Sequence, residues 1–189
     1  MFKVMPLRII LTTEMLGTVP KDPDIYKSYI ETKKPEDQKE DESLTVDKIE
    51  EKGWTGFHSD EKGLFIYEYM IKGFLKQAGN VLKKQVVIKA LRSKIDDQLF
   101  IIPRRIYLGQ TKPDGVIERP LRAMTMQGPR VTLARSDYIN AGKEIEFEIS
   151  YLERGDISKK LLDTLLSYGV LCGLGQFRNG GYGRFRVVE

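Results

Sequence analysis

The residues best suited to chemistry in this sequence lie near its carboxyl end, between Gly173 and Gly183. Five of these eleven residues are glycine, which permits positive φ angles and the close approach of another backbone. Exposed amide N–H groups in such a loop can line up toward an anion, and the Arg178 guanidinium adds a fork that suits phosphate. Phe177 and Tyr182 offer ring faces on which a nucleobase can stack. This composition predicts a loop that contacts a polynucleotide.

The residues that follow the loop extend this predicted contact. Arg184 and Arg186 alternate with Phe185, so a strand would point both arginines to one face. A flexible glycine turn is the alternative interpretation, whereas a Rossmann or P-loop motif does not fit a loop that follows a helix and precedes a strand. The residues of this region predicted to contact nucleic acid are Gly173, Gly175, Gln176, Phe177, Arg178, Asn179, Gly180, Gly181, Tyr182, Gly183, Arg184 and Arg186.

Six strong elements must position this loop. The chain reads strand, helix, strand, strand, helix, strand, which is the split βαβ order of a ferredoxin-like (RRM-like) sandwich with helices on one face of an antiparallel sheet. The sequence therefore predicts a single α+β domain over residues 1–189, with an unrelated α+β fold as the alternative. The predicted strands cover residues 2–13, 99–108, 143–151 and 182–188, and the predicted helices cover residues 65–84 and 157–170.

Two of these elements have clear periodicity. From Lys143 to Tyr151 apolar and polar residues alternate, as in a strand with one buried face. From Ile157 to Val170 leucines recur at helical spacing, with Asp156 as the expected N-cap and a glycine as the stop. The side chains expected to be buried in these two elements are Ile145, Phe147, Ile149, Tyr151, Leu161, Leu162, Leu165 and Leu166.

The elements between them are less regular. The helix over residues 65–84 contains Gly73 and Gly79, which weaken it by about 1 kcal/mol each relative to alanine. Residues 86–93 fit either a second helical stretch or an extended segment. Pro103 interrupts the strand that follows, which favours a sheet edge or a bulge.

Two insertions separate the predicted elements. Residues 17–60 form a polar segment after the first strand, with short helices expected only around 25–30 and 46–51. Such a composition favours an exposed insertion. Residues 110–135 lie between the middle strands, and their extended pieces around proline and glycine indicate an arm or hairpin.

The charge of the chain is small but unevenly spread. The formal net charge is +4. Nine acidic and five basic residues fall between Glu31 and Lys52, so the rest of the chain carries 26 basic against 18 acidic residues. Between Leu99 and Arg135 there are seven basic and two acidic residues. A basic body with a detached acidic segment is compatible with a polyanionic partner.

The composition also argues against several classes of protein. No stretch approaches the roughly 20 apolar residues that span a bilayer, and the first residues lack the apolar core of a signal peptide. Cys172 is the only cysteine and His58 the only histidine, so a disulfide within the chain is impossible, and a zinc site with about four such ligands is not expected. We expect a cytoplasmic protein without membrane contact, metal or other cofactor.

The glycine-rich loop resembles that of a known family. The pattern G-h-G-xxxxx-G-h-G is met by Gly173-Leu174-Gly175, five residues that include Arg178, and Gly181-Tyr182-Gly183. It looks like the glycine-rich loop of the RAMP superfamily of CRISPR-associated proteins. A second segment, Lys72-Gly73-Phe74-Leu75-Lys76, is similar to the Lys-Gly-x-Leu-Arg segment of crRNA-binding backbone subunits in that superfamily. Here Lys76 replaces the arginine, and the usual preceding Pro-Gly-Ser is absent.

This resemblance implies both an RNA-binding fold and a mode of assembly. Single-stranded guide RNA would lie over a ferredoxin-like domain, held by the glycine loop and by Lys72 and Lys76 of the first helix. Backbone subunits of this kind polymerise along the RNA, and the arm with Arg119, Arg122 and Arg130 would act as a thumb between them. The implied partners are single-stranded RNA and other subunits of a ribonucleoprotein complex, or further copies of the chain.

Two features of the sequence concern catalysis. Repeat-processing endoribonucleases of this superfamily often use a histidine as general acid or base, and His58 stands in an aromatic- and glycine-rich setting. Some target-cleaving backbone subunits place an aspartate after the first strand, where Asp22 and Asp24 lie, and a carboxylate there could help to bind a divalent ion. A loop histidine packed beside Trp54 and a turn-forming Asp-Pro pair are the alternative interpretations.

Three functions are compatible with these observations, in order of preference. The first is a non-catalytic RNA-binding subunit of a CRISPR-type ribonucleoprotein in antiviral defence. The second is a small, metal-independent endoribonuclease that processes repeat RNA with His58. The third is an interaction or decoy protein that joins or blocks such a complex without binding RNA itself.

Overall fold

A four-stranded antiparallel sheet forms the centre of the protein. The computed structural model describes residues 2–21, 53–125, 128–152 and 156–188. The strands of the central sheet are β1 (Phe2–Leu11), β7 (Leu99–Ile102), β11 (Glu144–Leu152) and β12 (Phe185–Val188). They lie in the order β12-β1-β11-β7, and each neighbouring pair is antiparallel. The strands predicted at the two ends of the chain are therefore neighbours.

Two helices cover one face of this sheet. α1 (Glu68–Val81) and α3 (Lys159–Ser167) share a core with the apolar residues of the strands. In β11 the apolar residues are buried while the glutamates between them are exposed, and all four leucines predicted for α3 are buried. The predicted periodicity of both segments is thus confirmed, as is the α+β ferredoxin-like fold class. No helix in the described part of the chain is long and apolar enough to cross a membrane.

The amino end of α3 is capped by Ser158, and the prediction of Asp156 was wrong. The Ser158 Oγ accepts a hydrogen bond from the amide N–H of Leu161 at 3.2 Å. A cap must directly precede the first helical residue, and the helix begins at Lys159, two residues later than predicted. Asp156 instead forms an ion pair with Lys94.

Replacing Ser158 with alanine is expected to lower the free energy of unfolding by about 1 kcal/mol, because the Leu161 amide loses its acceptor. Asp156→Ala is the matched control. Its partly exposed ion pair contributes little, so we expect a change of at most about 0.5 kcal/mol. Urea unfolding followed by circular dichroism measures both values. Equal losses in the two variants would contradict the role of Ser158 as the cap.

The helix predicted over residues 65–84 begins later in the structure, because a strand occupies its expected first turn. β6 (Gly63–Tyr67) pairs with β5 (His58–Asp60) on one side and β8 (Arg105–Tyr107) on the other. A short apolar run fits a buried strand and a buried helix equally well. Periodicity therefore does not reveal the boundary between β6 and α1.

A second helix lies between α1 and β7. α2 (Leu91–Gln98) follows a turn, so the stretch over residues 86–93 is helical only at its end. A side chain at Gly79 of α1 would collide with Leu91, so glycine at this position allows α2 to pack closely against α1. Pro103 lies where the predicted strand breaks, and β7 and β8 belong to different sheets.

The predicted arm is a long β-hairpin, which lies in the sequence between β7 and β11 of the central sheet. β9 (Gly115–Thr125) and β10 (Gly128–Ile139) pair antiparallel over most of their length. The hairpin starts and ends a few residues later than the predicted range of 110–135. It also belongs to a second sheet, and Ile139 at the end of β10 is buried in the same core as α1 and α3.

The described ends of the insertion add strands to this hairpin. β10 pairs antiparallel with β2 (Met15–Leu16) and parallel with β4 (Trp54–Gly56). β4 pairs in turn with β3 (Val19–Pro20). Residues 22–52, which include the predicted short helices and both candidate aspartates, lie outside the described ranges.

A buried carboxylate on the hairpin binds both described ends of the insertion through hydrogen bonds. Asp137 of β10 is 3% exposed. It accepts hydrogen bonds from Lys21 Nζ at 2.9 Å and from Trp54 Nε1 at 2.8 Å. Because Lys21 and Trp54 stand on either side of the undescribed segment, the insertion leaves and re-enters the fold at one point on the hairpin.

Candidate nucleic-acid interface

The glycine-rich loop closes on itself at its base. The amide N–H of Leu174 donates to the Gly183 carbonyl at 2.8 Å, and the Gly183 amide donates to the Glu14 carbonyl at 2.7 Å. Gly183 has a φ of +72°, and a Cβ at Gly173 or Gly183 would collide with the backbone opposite. Glycine is required at these two positions because two chain segments cross in contact. The base of the loop is therefore a packed part of the fold.

The tip of the loop is exposed and presents side chains. Phe177 is 45% exposed, and Arg178 is half-buried. The amides of Gln176, Gly180 and Gly181 donate to backbone carbonyls of the protein itself. These amides are therefore engaged and do not contribute to the anion-binding row predicted from the glycine content. The tip is suited to contact a ligand mainly through its side chains.

A basic groove runs between the first two helices and the loop. Its volume is about 650 Å³. The charged residues that line it are Lys76, Lys83, Arg92 and Arg178, and no acidic residue of the described ranges lines it. Asp96 of α2 pairs with Lys76, and the remaining cations, gathered on low-dielectric walls, create a positive potential that attracts a polyanion.

One face of α1 forms the floor of this groove. Gly73, Lys76 and Asn80 line it, and Lys83 lies just beyond the end of α1 at Val81. Spacings of three and four residues place such side chains on the same side of a helix. A Cβ at Gly73 would meet no atom within 4 Å. The fold does not require glycine there, and the missing side chain leaves the floor open to close approach.

Lys72 and Lys76, both predicted to contact RNA, have different surroundings. Lys76 lines the groove and forms an ion pair with Asp96 of α2. The hydrogen bond from Lys76 lowers the pKa of Asp96. Lys72 donates from its Nζ to the Asp96 backbone carbonyl at 2.8 Å and lies over the Phe100 ring at 5.4 Å. The structure thus brings Lys76 together with Arg178, whereas Lys72 turns toward α2 and β7.

Arg119 of the hairpin lies on another side of the loop, beneath Phe177. It is 7% exposed, and its Cζ lies 4.6 Å from the centroid of the Phe177 ring. Its Nη2 donates to Ser136 Oγ at 3.0 Å and to Gln176 Oε1 at 3.4 Å. The hydroxyls of Thr55 and Ser136 donate to the same Gln176 oxygen. This polar cluster joins the loop, the hairpin and the insertion.

The other predicted arginines belong to different parts of the fold. Arg186 is exposed in β12, on the face of the central sheet that the helices leave open. Arg184 packs beneath the loop, where its Nε is buried without a hydrogen-bond partner. The backbones of Arg122 and Arg130 belong to the hairpin, while their side chains lie outside the described part of the structure.

His58 belongs to an aromatic cluster on the three-stranded sheet. Its ring stacks on Phe65 with centroids 5.4 Å apart and meets Tyr67 edge-on at 4.7 Å. It is half-buried and does not line the basic groove. Ring contacts of this geometry stabilise packing, whereas a general acid must reach the proton that it transfers. Within the described ranges, no group of three or more histidine, cysteine or acidic side chains could hold a metal ion.

Several residues that line the groove were not predicted from the sequence, among them Asn80, Lys83 and Arg92. Asn80 and Lys83 carry a usable signal, because they repeat at helical spacing from Lys76 within a predicted helix. Arg92 carries no local signal. It reaches the groove only because α2 packs on α1, where the Leu91 side chain lies against Gly79.

Known proteins resemble this chain in fold alone. No family model matches the chain, and no curated protein matches it in sequence. Among solved structures, it is similar to a chain of the cryo-EM structure of the Type III-B Cmr-beta bound to cognate target RNA, with 14% sequence identity and a TM-score of 0.54. The match covers 100% of this chain and 59% of that chain, so this chain spans less than two thirds of its neighbour's length. The likeness therefore concerns the fold of the two chains.

Proposed function

We propose that this chain is a non-catalytic RNA-binding subunit of a CRISPR-type ribonucleoprotein and that it holds single-stranded guide RNA in the basic groove. One observation carries the proposal: Lys83 and Arg92 of the helical side meet Arg178 of the glycine loop across a single groove without an acidic lining residue in the described ranges. The structural neighbour, whose structure is bound to target RNA, supports it, as does the resemblance of the loop sequence.

The groove offers two kinds of phosphate contact. The guanidinium groups of Arg92 and Arg178 can each bind two phosphate oxygens, while Lys76 and Lys83 act as point charges. The open floor at Gly73 lets the sugar-phosphate chain approach the helix backbone. Contacts of this kind grip RNA largely without regard to sequence, as in other single-strand binding proteins.

The open face of the central sheet is a poor surface for RNA. RRM domains stack bases on aromatic residues of this face. Here the face carries the exposed rings of Phe2 and Phe100. However, Glu146 and Glu148 are exposed along β11 beside the Arg8–Glu144 pair, and carboxylates repel phosphate. The RNA therefore lies on the helical side of the domain, and Arg186 is not part of its main contact with the protein.

The hairpin is suited to contact a neighbouring subunit. Val131 and Leu133 on β10 are 60% and 53% exposed, and adjoining exposed apolar side chains are more common at protein contacts than on free surfaces. The partner is another subunit of the ribonucleoprotein or a further copy of the chain. Light scattering of the RNA-bound protein measures whether several copies share one strand.

Fluorescence anisotropy with an unstructured, labelled RNA tests the proposal. The unaltered protein is expected to bind at low ionic strength and to lose affinity as salt rises. Four phosphate contacts in the groove contribute about −2.8 to the slope of the logarithm of the association constant against that of salt concentration, and each phosphate contact outside the groove adds about −0.7. Absence of binding, or binding insensitive to salt, would reject the proposal and favour an interaction protein.

Gly73→Ala is expected to separate stability from function. The free energy of unfolding rises by about 1 kcal/mol, because alanine favours the helix and its Cβ meets no atom. RNA affinity falls roughly fivefold, about 1 kcal/mol, because the methyl group occupies the floor of the groove. Urea unfolding and anisotropy measure the two changes.

Thr164→Ala in α3 serves as the control for this variant. It also raises helix propensity, by about 0.5 kcal/mol, but it lies outside the groove lining. We expect its RNA affinity to remain unchanged. If Gly73→Ala binds RNA as tightly as this control does, the strand does not approach the helix at Gly73.

A further inference from the structure

Arg119 is a buried cation without an acidic partner in the described ranges. Its hydrogen bonds are to the neutral groups of Ser136 and Gln176, and its Nε is buried without a hydrogen-bond partner. Burial lowers the pKa of Arg119, yet an arginine side chain stays protonated in proteins. Holding such a charge away from water is costly unless it is paired. Among the described residues, the fold therefore holds this positive charge beneath the loop without a carboxylate beside it.

Phe177 covers this charge from a disfavoured backbone conformation. Its φ is +54°, in the left-handed region that side chains other than glycine rarely adopt. Its ring lies over the Arg119 guanidinium on one side. On the other it contacts the Tyr182 ring, with the two ring centroids 5.9 Å apart. The residue is still 45% exposed. The ring also packs on Gly180, where a Cβ would collide with it, and the cation–π contact with Arg119 adds to these contacts. Strained residues that cover a charged group are found at binding sites.

Because Phe177 lies at the loop tip above Arg119, an RNA strand that leaves the basic groove across this tip passes over Arg119. Arg178, the next residue along the chain, lines the groove. The two neighbouring side chains thus point to different sides of the loop, one toward the helices and one toward the hairpin. A strand that crosses the loop tip from the groove meets the Phe177 ring and then Arg119.

We propose that Arg119 is a phosphate site for the bound RNA, covered by the Phe177 ring in the free chain, and that a phosphodiester takes the place of the ring over the guanidinium. This inference rests on the proposed function. The phosphate supplies the negative charge that the described part of the site lacks, and Phe177 is released from its left-handed conformation. The hydroxyls of Thr55 and Ser136 lie within the same polar cluster, where both donate to Gln176 in the free chain, so a phosphate oxygen would have to replace the Gln176 oxygen to accept from them.

The salt dependence of RNA binding tests this site. We plot the logarithm of the association constant against the logarithm of the salt concentration. Arg119→Gln is expected to make the slope of this plot shallower by about 0.7, which is the contribution of one phosphate contact to a single strand. Arg119→Lys keeps the charge and is expected to keep the slope. Arg135→Gln is the matched control, because Arg135 lies on the same hairpin, half exposed and paired with Glu118. A slope that Arg119→Gln leaves unchanged would overturn the proposal.

Removal of the covering ring provides a second test that does not alter the charge. Phe177→Ala uncovers Arg119, so RNA is expected to bind about threefold more tightly or better, because no cation–π contact must be broken first. Unchanged or weaker binding would overturn the covering role and indicate that the ring stacks on a base instead. If the unaltered protein binds no RNA, the proposed function itself fails. If it binds and only the Arg119 and Phe177 results disagree, this inference alone fails.

Discussion

Replacing Lys83 and Arg178 together with glutamine is expected to weaken binding of single-stranded RNA by about 100-fold or more. Both side chains line the basic groove, one on each side of it. A hydrogen bond to a charged group contributes about 1.5–3 kcal/mol, so the loss of two amounts to about 3 kcal/mol or more, and each 1.4 kcal/mol corresponds to about tenfold in affinity. Anisotropy at fixed low ionic strength measures the loss.

The matched control for this variant removes two arginines elsewhere. Arg8 lies on the central sheet and pairs with Glu144, and Arg135 lies on the hairpin and pairs with Glu118. The double variant Arg8→Gln, Arg135→Gln changes the net charge equally but touches no residue of the groove. We expect its affinity to fall by less than about threefold, through long-range attraction alone. Equal losses in the two double variants would show that net charge, not the groove, holds RNA.

Gly183→Ala is expected to lower the free energy of unfolding by about 3 kcal/mol. Two penalties combine, because the left-handed backbone at this position disfavours a side chain by about 1–2 kcal/mol and the new Cβ collides with the Leu174 carbonyl. Backbone atoms cannot turn aside as a flexible side chain can, so the crossing of Leu174 over Gly183 must open. Urea unfolding followed by circular dichroism measures the loss.

Gly142→Ala separates these two penalties. Gly142 also has a positive φ, of +87°, but a Cβ there would meet no atom within 4 Å. We expect a loss of about 1 kcal/mol from backbone strain alone. The difference between the variants is then the contribution of the crossing at the base of the loop. If both variants lose the same free energy of unfolding, the two crossing segments can move apart without loss of stability, and the base of the loop is not tightly packed.

The two halves of the glycine loop therefore have different roles. At its base, Gly173 and Gly183 allow the chain segments to cross, which is a requirement of the fold. At its tip, Phe177 and Arg178 point toward the hairpin and the groove, and no packing of the core demands either side chain. A glycine pattern in sequence does not separate these roles, since both use the same residue type.

The sequence alone was sufficient to predict elements whose residues pack within one regular repeat. The alternation of β11 and the leucine stripe of α3 are local patterns, because a sheet or a core buries every second residue or every third and fourth. The order of such elements then led to the ferredoxin-like fold. The first residues of the helices were predicted wrongly, because α3 begins after a cap at Ser158 and β6 occupies the predicted first turn of α1.

Only the tertiary structure decided which side chains meet. Arg92 joins Lys76 and Arg178 because α2 packs on α1 at Gly79, and Phe177 covers Arg119 because the loop folds against a hairpin far away in the chain. Contacts of this kind depend on where separate elements dock, and docking is determined by the sum of many packing contacts across the core. No periodicity within a single segment contains that information.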